Sequence, residues 1–169
     1  MQAQDSKQIV VTYLLSSPKH ADNVAIADTI RILKEQRRAH RIFYIVTYTT
    51  SHQQQLYASI VVHQTESGFW DFEGFQMMGG TWVSKFPQKP PPQVAFTVSS
   101  NQDYSFVGVA VLSNEVQVAS ISLIDAQGLV FEDQLENSAV LFVTDQWIQM
   151  PLEIALYDHA HLLVGQHRC

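Results

Sequence analysis

The sequence predicts an α+β, β-rich protein, with one amphipathic helix on an antiparallel sheet joined to a β-sandwich-like C-terminal region. Three observations predict it. Only one stretch, within the first 40 residues, carries apolar side chains at an extended helical spacing. Short apolar runs separated by turn residues fill most of the rest. The stretch Phe86-Pro87-Gln88-Lys89-Pro90-Pro91-Pro92 holds four of the six prolines and divides the chain. Proline fixes φ and removes a backbone donor, so this stretch reads as an extended connector.

Taken in order, residues 8–15 read as a strand, because Ile9, Val10, Val11, Thr12 and Tyr13 are strand-favouring types. A helix is expected near residues 18–38. Ser17-Pro18 supplies a cap and a first-turn proline, with Asp22 as the rival cap. Val24, Ala27, Ile30 and Leu33 form its apolar stripe, and Lys34, Arg37 and Arg38 complement the negative end of its dipole. Residues 41–49, 56–63 and 69–75 then read as three strands, separated by polar turns at 51–55 and 65–68. The order is β-α-β-β-β, which an amphipathic helix on an antiparallel sheet satisfies.

Beyond the connector no helical signal remains. Residues 94–99, 106–112, 116–124, 129–133, 139–144, 154–157 and 162–165 read as seven short strands, the spacing of a sandwich. Ile121-Ser-Leu-Ile-Asp125-Ala-Gln-Gly128-Leu aligns with Ile154-Ala-Leu-Tyr-Asp158-His-Ala-His161-Leu. Both read as strand, aspartate-led turn, strand, with Gly128 and His161 at the position that favours positive φ. The predicted organisation is therefore 1–86 for the helix-plus-sheet subregion, 87–93 for the connector and 94–169 for the sandwich-like subregion.

The chain of 169 residues is 46% apolar but only 15% charged, against about 25% charge in ordinary globular chains. It has ample core and does not read as disordered. A single cysteine excludes a disulfide scaffold and a cysteine-rich zinc module. No apolar run reaches the 18 or so residues of a membrane span. The net charge of −6 argues against a nucleic-acid partner. Charge is divided unevenly: residues 1–93 carry +2, whereas residues 94–169 set Arg168 alone against nine acids, for −8. The polar start and the lone cysteine lead to the expectation of a cytoplasmic protein, or an exported one if a signal peptide has been lost.

Gly68-Phe69-Trp70, Gly79-Gly80 and Ile124-Asp125-Ala126-Gln127-Gly128 give the layout a resemblance to uncharacterised bacterial β-rich proteins of unknown function, often surface-associated. In these a helix and a meander with a Gly-Trp strand precede a sandwich with a hydrophobic-Asp-x-x-Gly hairpin. The resemblance implies a fold and no activity.

Nucleotide-binding, metalloprotease, hydrolase-elbow and kinase signatures are absent. His159-Ala160-His161 is the best metal pair, since residues two apart on a strand share a face, but a hairpin turn there removes that alternation. No metal and no cofactor are therefore expected, with His159 and His161 as the alternative. Asp71 and Glu73 are two apart on one strand, a spacing open to a glycosidase pair but ordinary for a solvated face. Cys169 has no base positioned to activate it. Arg31, Lys34, Arg37, Arg38 and Arg41 are half the basic residues, within eleven positions. The aromatic-rich run from Phe69 to Trp82 supplies flat apolar surface with polar handles.

These features predict a non-catalytic binding or protein-interaction module whose partner is a protein or a second copy. Trp70, Phe72, Trp82, Arg37 and Arg38 are the candidate binding residues, with no catalytic residues assigned. Trp70 or Trp82 is expected at the seam between subregions or in an oligomer interface. The alternatives are a small hydrolase or metal-dependent enzyme at the junction of the subregions, and a carbohydrate-binding surface.

Overall fold

The computed structural model describes residues 5–16, 24–82, 92–113 and 117–169. The fold is β-rich. Among the described residues there are one α-helix and twelve strands, the strands forming three four-stranded antiparallel sheets. The chain forms two compact units, Met1–Met78 and Gly79–Cys169. Residues 87–91 of the expected connector lie outside the described residues.

The first unit is a helix on a sheet, but the helix is not the one the sequence predicts. Residues 8–15 are not a strand; they lie in α1 (Ser6–Ser16). Asp5 caps it: its Oδ1 accepts the Lys7 N–H at 3.3 Å and its carbonyl accepts the Gln8 N–H at 2.9 Å. Ser6, Val10 and Leu14 recur every fourth residue and are buried. Burial of this face outweighs the strand preference of the β-branched run beneath it.

The helix expected over 18–38 is likewise corrected. Ser17, Pro18 and Asp22 lie outside the described residues, Ala27–Thr29 is a single 3-10 turn, and Arg31–Arg38 is strand β1. A hairpin turn through Ala39, at φ 50°, pairs β1 with β2 (Arg41–Thr49). Their register runs from Arg38↔Arg41 to Arg31↔Thr47. A bulge between Ile32 and Lys34 accommodates Leu33 as an extra residue. The alternation is thereby broken, and the apolar spacing mimics a helix. The basic cluster thus decorates the outer strand of a sheet, where charge discourages pairing with another chain.

β3 (Gln55–Gln64) and β4 (Trp70–Met77) complete the sheet in the order β1-β2-β3-β4. Val10 and Leu14 pack on Tyr44, Val46, Ala58, Ile60 and Val62. Each buried large apolar side chain contributes about 1.5–3 kcal/mol. Three specific contacts fix the helix. Ser6 Oγ lies 2.8 Å from the Tyr44 hydroxyl, Lys7 pairs with Glu35 of β1 at 3.2 Å, and Tyr13 stacks on Phe72 with ring centroids 4.1 Å apart. The opposite face of β2 and β3 is also buried at Phe43, Ile45 and Val61.

The second unit is a sandwich of two sheets. One has the order β10-β7-β6-β5, built from β5 (Gly79–Trp82), β6 (Gln93–Ser100), β7 (Ser105–Ser113) and β10 (Ala139–Thr144). The other has the order β12-β11-β8-β9, built from β8 (Ser120–Ile124), β9 (Val130–Gln134), β11 (Glu153–Tyr157) and β12 (Leu163–Arg168). Val94, Val107, Val109 and Val140 of the first sheet share one core with Ile121, Leu123, Ile154, Leu156 and Val164 of the second. Strands stand at all seven expected places, but among the described residues the one expected over 116–124 is strand only over Ser120–Ile124. β5 is an eighth, with Gly79 and Gly80 paired with Phe96 and Ala95.

The two echoing hairpins adopt one turn. The N–H of Gly128 donates to the Asp125 carbonyl, and the N–H of His161 donates to the Asp158 carbonyl, each at 3.0 Å. Gly128 has φ 81° and His161 has φ 59°. Sequence echo and backbone geometry therefore coincide, including the left-handed residue at the fourth position.

Candidate functional site

Of the predicted binding residues, Arg37, Arg38 and Trp70 fall at one end of the first sheet, where the β1–β2 and β3–β4 turns lie together. Arg37 and Trp70 are brought into contact, the guanidinium carbon lying 5.3 Å from the indole centroid. The pair is a cation–π contact. Phe72 stacks against Tyr13 of the helix and so holds α1 to the sheet. Arg38 is half-buried opposite Arg41. Trp82 closes β5 opposite Gln93. Its side chain lies outside the described residues.

The candidate carboxylates separate in role. Asp71 Oδ1 accepts the Phe72 N–H at 2.8 Å. Glu73 receives both of its contacts from Arg41 Nε, at 2.9 and 3.1 Å. That bond engages Glu73 in holding β2 to β4. Near them, a cavity of about 640 Å³ is lined by His40, His63, Gln64, Thr65 and Glu66. His63 is half-buried, and its buried Nδ1 has no hydrogen-bond partner. Thr65 and Gln64 face inward to their own turn: the Thr65 hydroxyl donates to the Phe69 carbonyl, and the Gln64 amide donates to the Gly68 carbonyl.

His159 and His161 sit in the Asp158 turn, where strand alternation does not operate. His161 stacks on Tyr157 at 4.7 Å, and its Nε2 lies 4.0 Å from Glu132. Both histidines line a cavity of about 280 Å³ with Ser120, Gln134 and Asp158. Among the described residues no group of three or more His, Cys, Asp or Glu converges as a metal-binding set. Burial pushes the Cys169 thiol up from its ordinary value, which lowers its thiolate fraction.

Sequence reasoning did not reach a set of exposed apolar side chains around the Asp125 turn. Asp125 is a buried carboxylate. Its Oδ1 accepts the N–H groups of Gln127 and Leu129 at 2.9 and 2.8 Å, and its Oδ2 accepts the N–H of Gln149 at 3.0 Å. The Ala126 N–H donates in turn to the Gln149 carbonyl. These bonds, that from Gln149 foremost, hold the carboxyl below the ordinary aspartate range against the opposing effect of burial. The network ties the β8–β9 hairpin to the loop before β11.

Four large apolar side chains are displayed around this tie. Ile124 and Val130 are cross-strand partners at the mouth of the hairpin, and both are exposed. Trp147 and Met150 flank the anchored Ile148 and Gln149 and are 59% and 51% exposed. Ile148 is buried in the sandwich core, so its neighbour Trp147 is turned outward from a fixed backbone. The same turn borders a cavity of about 300 Å³ lined by Ile124, Ala126, Pro151, Glu153 and Arg168. One signal was available in the sequence: Trp147 lies between two strands, in a stretch with no alternating pattern to draw it into a core.

Comparison with family models, with curated proteins and with solved structures finds no match to this chain. No described helix is long and apolar enough to cross a membrane.

Proposed function

We propose that the protein is a non-catalytic binding module that engages a protein surface through the apolar side chains around the Asp125 turn. One observation carries this reading: Trp147, Met150, Val130 and Ile124 are all exposed beside a turn that a buried carboxylate fixes. Exposed apolar clusters mark interaction sites, and tryptophan is enriched among the residues that dominate binding energy. The Arg37–Trp70 end of the first sheet is a secondary contact in this reading, because its aromatic ring is already half-buried and covered by a cation.

The test is site-specific photo-crosslinking in the native host. A photoreactive phenylalanine analogue at position 147 is expected to give one discrete adduct. The same probe at exposed Gln53 is expected to give none. Indistinguishable adduct patterns from the two positions would refute the reading.

A further inference from the structure

The apolar cluster says where contact occurs, and the charge around it says with what. We infer that the surface around the Asp125 turn accepts a cationic, apolar-anchored peptide or protein face. This rests on the binding-module reading above and adds the chemical class of the partner.

The inference begins from the charge of the sandwich region. Residues 94–169 carry nine acids and a single cation, Arg168. Three of these acids lie within two residues of the apolar cluster. Glu132 follows Val130 by two residues on the outer edge strand β9, and both are exposed. Two residues along a strand span about 7 Å. Asp133 and Asp145 are also exposed, the latter two residues before Trp147. Asp125 itself is saturated by backbone donors and contributes fixed negative charge close to the surface.

An apolar surface alone does not discriminate among partners, whereas a predominantly acidic surround does. It steers cationic partners inward and repels anionic ones. Anionic lipid surfaces and nucleic acids are therefore disfavoured occupants. Arg168 lines the adjoining cavity from β12, the edge strand opposite the β9 strand that carries Val130 and Glu132.

The probes are two labelled amphipathic peptides of the same apolar face, one lysine-rich and one with glutamate at each lysine position. Binding to the full chain is read by fluorescence anisotropy. The lysine peptide is expected to bind, and to weaken at least tenfold between about 50 and 500 mM salt. Trp147→Ala should lose at least tenfold in affinity, and Glu132→Lys several-fold. The glutamate peptide should not bind. If both peptides bind alike through Trp147, the cationic class is overturned and the binding-module reading stands. If neither binds, or Trp147→Ala changes nothing, the surface itself is wrong. A Trp147-dependent dimer in sedimentation velocity, or Trp147-dependent binding to phosphatidylserine vesicles, would overturn the proposal in favour of that occupant.

Discussion

Replacing Asp125 and Asp158 by asparagine perturbs two turns of the same geometry with different consequences. At Asp158 both side-chain bonds, from Ala160 and Leu162, go to Oδ1 at 2.9 Å. An asparagine carbonyl can accept both, so Asp158→Asn should change stability by less than about 0.5 kcal/mol. At Asp125 the Oδ2 atom accepts the Gln149 N–H. Asparagine would set an NH₂ donor against that donor. A hydrogen bond to a charged group is worth roughly 1.5–3 kcal/mol, and the buried N–H is left unpaired. Asp125→Asn should therefore lose about 2 kcal/mol, or roughly 4–8 °C in Tm for a chain of this size.

The pH dependence carries a second signature. The Asp125 carboxyl is depressed below its ordinary 3.8 in the folded state. The unfolded chain thus binds the proton first as pH falls. The stabilisation is complete above the unfolded value and is lost as pH drops through the folded one. Calorimetry of both variants from pH 3 to 7 tests this. Asp125→Asn should flatten the acid limb of stability, and Asp158→Asn should leave it as in the parent. Equal losses in the two variants, or an unchanged acid limb in Asp125→Asn, would refute the reasoning.

Other outcomes follow from the helix, the left-handed turns and the exposed cluster. Val10→Asp buries an unpaired charge and should unfold the first unit, whereas Thr12→Asp, on the exposed side of α1, should be tolerated; circular dichroism melts that penalise both alike would mean the segment is a strand. Phe72→Ala removes the Tyr13 stack and should cost about 3 kcal/mol, read as faster amide exchange across α1. Gly128→Ala meets open space but an unfavourable φ, so it should cost about 1 kcal/mol in chemical denaturation from backbone strain alone. Trp147→Ala should leave Tm within about 1 °C, because its side chain is mostly solvated.

The sandwich was legible because its strands obey local rules. Residues 139–144 and 154–157 are short apolar runs, and the Asp125 and Asp158 turns each announce themselves by an aspartate followed three residues later by a residue suited to positive φ. The first 40 residues were not, and their helix and strand are exchanged. Val10 and Val11 prefer strands as isolated residues, yet α1 forms because the 6-10-14 face has a sheet to cover. Arg31–Arg38 holds one β-branched residue, Ile32, and lies in a strand because β2 offers it a ladder. Neither segment's state is decided within its own sequence. Asp5 was the overlooked local signal, as a cap for the true helix. For the exposure of Trp147 the sequence offered only a stretch without alternation, since the outcome depends on Ile148 entering a core assembled from distant strands.

The paired turns also explain why recognition would settle at one end of the sandwich and not the other. Both hairpins use an aspartate to accept two backbone donors of its own turn. Among the described residues, Asp125 alone of the two employs its second oxygen, and that bond reaches 24 residues along the chain to Gln149. Local turns order themselves; a bond between two loops orders each relative to the other. Binding is weakened by the freedom that contact residues lose, about 0.5–1.5 kcal/mol for each side chain that must be immobilised. Trp147 and Met150 project from backbone already fixed by Gln149 and by the buried Ile148, so the further cost of ordering the loop itself is reduced. At the Asp158 turn a single exposed apolar residue, Leu162, stands beside a histidine held at positive φ, with no hydrogen bond from the Asp158 carboxylate to a second loop among those described. A tie that stabilises the fold by a few kcal/mol at Asp125 thus also fixes the backbone from which the exposed Trp147 and Met150 project. The same reasoning makes Asp125→Asn a test of binding as well as of stability: at a temperature where the variant remains folded, affinity for a partner should fall although Asp125 is buried beneath the surface that the partner would touch.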